Sequence, residues 1–551
     1  MEPARRISDM LPAMSDEQLA AMVKEWGLVS GAGQQIDIGN DLRKSLAIFK
    51  NGTALVAQGQ RHKPEVKLML DRTRRMGLKL ADIREVDAAS LERVYGSPAK
   101  EYSLSTWKTL DLERQKSLAR IIAEAAELGA SDIHMRVLDE RCEVKVRVNG
   151  RMRELRDEGS RDGQEMIRAA FAVASGQGSG GTDSTFQQGA MFQKSGLLPG
   201  NVEMLRLQYT PTSDQRGALV MRIKYVGKSA ETDVDSLGYS QQQAADLKKM
   251  RLKTNGMYIF AGKVSSGKTT TLQRCLNAMF LDKRKEISIY AAEDPKELEL
   301  LGAIQAQITA GQNANEAFKM AMKAALRSDP NVIVLGEIRS EELTSMAVEA
   351  AKTGHALWST VHAGSALGIL NRLINLGADR EDLKDPRTVG GLIYQRLLGV
   401  MCRSCRVTLR QALAEGDIEA ELAEKLVEIT GQTDEALMCR GKGCSSCFMG
   451  LSGRTVVAET IRPDARLLEL YMDHSRIDAE KYWLTPVDRG GLGGAPVMHH
   501  AMVKAGAGIV DINEVQEEVD LLESYERELG HLIPRLHHEI AALRRATGAS
   551  A

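Results

Sequence analysis

The sequence predicts an α/β protein built around a nucleotide domain, and three observations carry that expectation. Met257 to Ala261 is an apolar run of strand length. It is followed by Gly262-Lys263-Val264-Ser265-Ser266-Gly267-Lys268-Thr269-Thr270, which fits G-x-x-x-x-G-K-[ST], and a stretch of helix length opens at Thr269. Strand, glycine loop and helix in that order turn a pattern match into a phosphate site. A second apolar run, Val332 to Leu335, stops at Gly336-Glu337-Ile338-Arg339, the carboxylate signature that accompanies such loops. Third, Cys402-x-x-Cys405 and Cys444-x-x-Cys447 form two knuckles with the S₄ spacing of structural Zn²⁺.

Composition narrows the class. A chain of 551 residues has room for roughly three or four domains. The net charge of -1 gives no electrostatic footprint for nucleic acid, and 4% aromatics leave few stacking platforms for single strands. No apolar run approaches the ~20 residues of a spanning helix. The opening MEPARRISDM lacks the apolar core of a signal peptide. The expectation is a reducing cytosol, where seven cysteines serve as thiols or metal ligands.

Taken in order, residues 1–104 read as a small docking domain. Ser15 to Trp26 is helical in pattern, with a capping-box-like start. Leu46 to Phe49 and Thr53 to Val56 flank Lys50-Asn51-Gly52 as a hairpin, and Pro64 to Met76 is a basic helix. Residues 105–226 read as an α+β domain. It has a helix from Leu110 to Leu128, a strand over Cys142–Val148 turned back by Asn149-Gly150, and a Gly/Ser loop from Ser175 to Ser184. Two paired strands, Glu203 to Tyr209 and Ala218 to Tyr225, carry Arg206 and Arg222. Residues 227–236 are a polar linker. The nucleotide domain spans 237–475, including a cysteine-bearing insert over 400–450, and 476–551 is a C-terminal extension.

Within the nucleotide domain the loop N–H groups and the helix N-terminus favour a phosphate chain. Lys268 reaches the β/γ-phosphates and Thr269 holds Mg²⁺. Ile287 to Ala291 is a strand that ends in Ala292-Glu293-Asp294-Pro295, placing two carboxylates at a strand tip. Asp329-Pro330 ends a helix over Ala317–Arg327, and Glu337 can hold the Mg²⁺ shell or orient the attacking water. His355 and His362 bracket a further strand, an arrangement in which both could face the phosphate end of the sheet. The 38 residues between the knuckles include a helical stretch with Ile418, Leu422 and Leu426 on one face. Zinc could hold such an insert with little core of its own. Cys439 is a spare thiol.

These residues together resemble the motor ATPases of type II secretion and type IV pili, the family of GspE, PilB and PilT. The likeness covers about residues 105–530 and rests on GASDIH, GKVSSGKTTTL, AAEDPKEL, DPNVIVLGEIRSEELTSMAVEAAKTGHALWSTVHAGSA, YQRLLGVMCRSC and GCSSCFMGLSGR. The resemblance implies a RecA-like P-loop domain with a zinc-knuckle insert, preceded by a PAS-like α+β domain and a further small domain. It implies that Glu337 positions or activates water, that Glu293 and Asp294 form an aspartate box, and that His355 and His362 form a histidine box sensing the γ-phosphate. Arg206 and Arg222 match arginines lent to a neighbouring subunit's nucleotide, with Arg216 a rival for the second.

The resemblance further implies ATP, Mg²⁺ and Zn²⁺ as cofactors and substrate, and a homo-hexamer working against an inner-membrane platform protein. The chain would be cytoplasmic and peripheral at that membrane, without nucleic acid. The knuckles and the extra N-terminal domain resemble extension motors, and the length resembles plasmid-type thin-pilus or type IVB pilus ATPases. A retraction motor and a conjugation-type translocase are the alternatives. Three departures stand out. Lys263-Val264-Ser265 replaces the family's Pro-Thr-Gly, His362-Ala363-Gly364-Ser365 replaces His-Thr-Asn-Asp, and Gln187-Gln188-Gly189 has drifted from Pro-Gln-Asp-Gly. Near the end, Asp511 reads as a helix cap with Glu514 as its box partner. Residues 523–551 read as a solvated tail helix broken or kinked at Pro534.

Overall fold

A computed structural model of the chain describes residues 44–75, 80–95, 112–174, 188–193, 198–212, 216–226, 231–293, 298–308 and 314–547, together with 22, 23, 25–30, 36, 42 and 78. The Gly/Ser stretch from Ser175 to Ser184 and most of the helix expected over Ser15–Trp26 lie outside the described residues. The chain divides into two compact units, Met1–Ala119 with Phe192–Leu198, and Arg120–Met191 with Pro199–Ala551.

In the first unit, β1 (Leu46–Ile48) and β2 (Thr53–Ala57) form the expected hairpin, with Gly52 at φ 89° in the turn. Helix α1 (Pro64–Arg75) crosses over to β3 (Asp82–Val86), which pairs parallel to β2, and α2 (Ala88–Tyr95) follows. Both faces of the small sheet are covered, Phe49, Leu55 and Leu91 on one side and Ile48, Val56 and Val66 on the other. Trp26 packs edge-on against Phe49, so its ring serves this core.

Helix α3 (Leu112–Glu127) precedes a sheet of order β6-β5-β4-β9-β8-β7. Its strands are β4 (Asp132–Val137), β5 (Arg141–Val148), β6 (Arg151–Gly159), β7 (Gln188–Gln193), β8 (Val202–Pro211) and β9 (Gly217–Tyr225). Residues of β5 alternate between buried and half-buried, the period-2 pattern of a one-faced sheet. Helix α4 (Ser160–Val173) packs on β4, β5 and β6 and buries Met166 and Ile167.

The nucleotide region begins with α5 (Gln241–Arg251), opened by a capping box between Ser240 and Gln243. Its seven-stranded sheet has the order β12-β11-β13-β14-β10-β15-β18. The strands β10 (Gly256–Ala261), β11 (Ile289–Glu293), β12 (Ala303–Gln307), β13 (Val332–Leu335), β14 (Ala356–Val361) and β15 (Val389–Met401) run parallel. Only β18 (Leu451–Ile461) runs against its neighbour. Met257, Ile259 and Ala261 point into one core while Tyr258 and Phe260 point into the other, as a sheet covered on both faces requires. Helices α6 (Lys268–Asp282), α7 (Ala314–Leu326), α8 (Glu341–Lys352) and α9 (Ala366–Asn375) alternate with the strands.

The insert between β15 and β18 carries the short pair β16 (Val407–Thr408) and β17 (Met438–Cys439), with α10 (Leu409–Glu415) and α11 (Ala420–Thr430) between them. It has more core than zinc alone would need. Leu409, Ile418 and Leu426 join one apolar cluster with Met502, Tyr525, Leu536 and Ile540 from the C-terminal helices.

Those helices are α12 (Arg476–Leu484), α13 (Val497–Gly506), α14 (Ile512–Glu518), α15 (Leu522–Leu529) and α16 (Ile533–Thr547). Trp483 and Leu484 pack in the same core as β10 and β15, so the chain beyond residue 475 is continuous with the nucleotide region. The tail is not solvated either. Leu536 and Ile540 are fully buried, because α16 lies along α13 and α11. The break at Pro534 is real, and Pro534 is the second residue of α16, where a missing N–H costs nothing. Asp511 caps α14 by accepting from Asn513 N. Glu514 is not its box partner, because its carboxylate takes the Gly399 N–H of β15 at 2.6 Å instead.

Candidate nucleotide site and metal cluster

The parallel register brings four strand ends to one edge: Ala261 of β10, Val361 of β14, Leu335 of β13 and Glu293 of β11. This carboxyl edge is where open α/β sheets place ligands. The glycine loop leaves from Ala261. A Cβ on Gly262 would lie 2.3 Å from Gln395 O and 2.5 Å from Ser266 Oγ, so the first framing glycine cannot be replaced without moving the backbone. Gly267, at φ 83°, turns the chain into α6. Ser265 sits at φ 63°, a left-handed conformation that its side chain disfavours.

Lys268 Nζ donates to Gly262 O and Lys263 O, both at 2.9 Å, which fixes the ammonium against the loop. Ser266 Oγ is buried and has no hydrogen-bond partner among the described residues. A glycine-framed cradle, an anchored ammonium, an orphan hydroxyl and the N–H groups of the first turn of α6 together fit a phosphate chain. Sequence reasoning missed the support behind the loop. Gln395 Nε2 donates to Ser266 O at 2.7 Å, and Tyr239 OH donates to Gln395 Oε1 at 2.6 Å. Gln395 lies within the YQRLLGVMCRSC stretch, but its strand position alone gives no sign that it faces the loop.

Glu337 is pinned from both sides. Gly336 N donates to Ala292 O at 2.9 Å and Thr360 Oγ1 to Gly336 O at 2.8 Å, while Ile338 N donates to Thr360 O at 3.0 Å. His362 Nε2 lies 3.3 Å from Glu337 Oε1. In strand order, His362 therefore stands between Glu337 and the phosphate loop. Glu293 is nearly buried, and Gln305 Nε2 of the neighbouring β12 donates to its Oε2 at 3.1 Å. Gln305 was also invisible in the sequence, since it orients the carboxylate across a strand pair. Asp294 lies outside the described residues.

The two histidines do not share the phosphate end. His355 precedes Ala356, which pairs with Gly256 at the start of β10, whereas His362 follows Val361, which pairs with Ala261. Six residues of β14 separate them, about 20 Å of strand. His355 Nδ1 instead lies 3.2 Å from Ala350 O, at the end of α8. The expectation that both face the phosphate is corrected by this register.

Arg206 and Arg222 stand directly opposite each other on β8 and β9 and are both exposed. Arg222 Nε donates to Asp132 Oδ1 at 3.0 Å, while Arg206 has no ion-pair or hydrogen-bond partner among the described residues. The rival Arg216 is held by Asp139.

The four knuckle sulfurs converge. Cys402, Cys405, Cys444 and Cys447 place their Sγ atoms within 4.8 Å of one another, with closest separations of 3.8, 3.6 and 3.7 Å. A tetrahedron with Zn–S bonds of ~2.3 Å has edges of about 3.8 Å, so the donor set and its size fit Zn²⁺. A backbone hydrogen bond at Ser404 and the neighbouring thiols pull Cys402 down to about 7, while burial and the same thiols push Cys405 up to about 12, so the four sulfurs lose their protons as a linked set. Cys439 is no fifth ligand; it is buried, and desolvation pushes its thiol up to about 12.

A glycine loop, a pinned glutamate and a histidine on the carboxyl edge of a parallel sheet define a phosphate-loop nucleotide-binding domain. A family model described as "Type II/IV secretion system protein" matches residues 111–515, and the chain belongs to this family. Type II secretion system protein E of Pseudomonas aeruginosa is 30% identical over 358 residues, which are 64% of this chain and 66% of that protein. Type IV pilus assembly ATPase PilB of the same organism is 33% identical over 260 residues, 46% of this chain and 42% of that protein. The chain thus spans about two-thirds or less of these relatives' length. Among solved structures, the Legionella pneumophila ATPase DotB aligns over 73% of this chain and 94% of its own at 17% identity, with a TM-score of 0.49. A likeness that distant carries no functional inference.

Proposed function

We propose that this chain is an ATP-hydrolysing motor that powers assembly of a type IV pilus or pseudopilus, as a homo-hexamer docked on a membrane platform protein. Its nucleotide domain would be RecA-like and the β4–β9 domain PAS-like. The observation that carries the reading is the common edge of the phosphate loop, Glu337 and His362. The loop amides and Lys268 hold the phosphate chain in place, and Ser266 Oγ gains a partner that it lacks among the described residues. Thr269 would hold Mg²⁺, whose charge neutralises the β- and γ-oxygens. Glu337, fixed through its neighbours, orients the attacking water, and His362 holds the Glu337 carboxylate in position. Glu293 lends a second carboxylate towards the metal shell, with Asp294 beside it in sequence. His355, at the far end of its strand, is left with a helix-end role. The four cysteines would hold Zn²⁺ and tie the insert to the end of β15.

The relatives' names place them in secretion and pilus assembly, and the cysteine cluster favours the extension branch of the resemblance. Among the described residues no helix is long and apolar enough to cross a membrane, so membrane contact is assigned to partners. The test is direct. Lys268→Ala should lower phosphate release at least 100-fold, and Glu337→Gln should retain an ATP analogue while stopping turnover. Near-normal turnover in either variant refutes the assignment. In cells, a deletion that removes surface filaments supports extension, and hyperpiliation would overturn it in favour of retraction.

A further inference from the structure

Lys263 follows the first framing glycine of the loop, and the structure gives that lysine a partner. Lys263 Nζ lies 3.3 Å from Glu518 Oε2, at the last residue of α14. Arg396 of β15 donates to the Glu518 carbonyl, which fixes that helix end beside the loop. The residue before it turns the other way. Glu517 Oε2 lies 3.1 Å from Arg151 Nη2, at the first residue of β6 in the preceding domain, and Glu514 Oε2 lies 3.9 Å from the same nitrogen. Arg153, two residues along β6, covers the Phe448 ring beside the second knuckle at 5.0 Å. Successive helical residues point about 100° apart, so one short helix end grips the phosphate loop with one carboxylate and the neighbouring domain with the next.

We propose that Lys263 is a second phosphate-contacting cation held in reserve by Glu518, and that the Glu517–Arg151 pair ties its release to the preceding domain. The inference rests on the phosphate-loop reading above. Lys263 and Glu518 are about half exposed, at 57% and 46%, so their pair is weak and exchangeable. A triphosphate entering the loop brings several negative charges within reach of Lys263 and competes with one carboxylate. When Lys263 turns to the phosphates, Glu518 loses its partner and the end of α14 is restrained by Glu517 and Arg396 alone. Linkage makes the effect reciprocal: loosening the Arg151 contact should favour nucleotide as much as nucleotide loosens that contact.

The test is the dissociation constant of a non-hydrolysable ATP analogue on the full chain. Glu518→Gln and Arg151→Gln should each tighten binding about two- to fivefold, the range open to an exposed pair. Both gains should vanish when Lys263→Gln is also present. Unchanged binding in both single variants, or the same gain without Lys263, overturns the proposal. Lys268→Ala serves as the separate control. If that variant still binds the analogue normally, the phosphate-loop reading has failed rather than the reserve role of Lys263. Circular dichroism of each variant shows whether a null result reflects a folded protein, and Lys263→Glu combined with Glu518→Lys should restore the pair without restoring phosphate contact.

Discussion

At the scale of single residues, the loop holds two features that oppose stability. Ser265 occupies a left-handed conformation worth about 1–2 kcal/mol for a residue with a side chain. Ser266 Oγ is buried without a partner among the described residues, a desolvation cost of about 1–3 kcal/mol. Such strain gathers where the backbone must present itself to a ligand. Ser266→Ala should therefore change two quantities in opposite directions. The nucleotide-free protein should become more stable by about 1 kcal/mol, while affinity for an ATP analogue should fall several-fold. Thermal melts with and without analogue read both at once. A variant that loses stability without nucleotide would show that the hydroxyl already has a partner in the empty loop.

At the scale of elements, the C-terminal helix is clamped by charge as well as by apolar packing. His499 of α13 is buried, with Nε2 3.2 Å from Glu539 Oε2, while Arg535 Nε donates to Glu539 Oε1 at 2.7 Å. Burial alone would raise the Glu539 carboxyl, but hydrogen bonds and charge from His499 and Arg535 hold it at about 2. A carboxyl held below its unfolded value of ~4.3 stabilises the fold above that pH, and the gain is lost as pH falls towards 2. Glu539 is one-third exposed, so solvent screening reduces the contribution to the order of 1–2 kcal/mol. Glu539→Gln should lower the melting temperature at pH 7, and the deficit should roughly halve near pH 3. A deficit independent of pH would mean that packing, not charge, holds α16.

This clamp also marks where the sequence stopped being legible. Local signals read well: the 46–57 hairpin, the helix after the glycine loop, the Val332–Leu335 strand and the two knuckles all depend on nearby residues. What depended on distant partners was hidden. Glu514 carries a capping-box spacing, yet a strand N–H more than a hundred positions away claims its carboxylate. Leu536 and Ile540 sit in a polar-looking tail because their cover comes from α11 and α13. His355 and His362 looked equivalent until the parallel register assigned them to opposite strand ends. Gln305 and Gln395 give no motif at all, since a glutamine that orients a carboxylate or backs a loop does so across a strand pair.

At the scale of the whole molecule, the issue is whether one chain holds a complete site. Arg206 and Arg222 face each other across an antiparallel pair, and like charges so placed are unfavourable. Asp132 pairs with Arg222 and with Arg147, and not with Arg206. An exposed pair of this kind gains from an anion supplied by another body, and the nucleotide of a neighbouring subunit is the anion the proposed ring provides. An arginine of that sort contributes about 10³–10⁵ in rate in other nucleotide hydrolases, so each subunit alone should be nearly inactive. Mixing two dead variants distinguishes a shared site from a self-contained one. In an Arg206→Ala subunit the loop and Glu337 are intact, and in a Glu337→Gln subunit Arg206 is intact. If the arginine acts across the interface, an equal mixture of co-expressed subunits should recover about a quarter of normal turnover, because a quarter of random neighbours pair an intact glutamate with an intact arginine. If it acts within its own chain, no mixture recovers activity, since every site lacks one of the two groups.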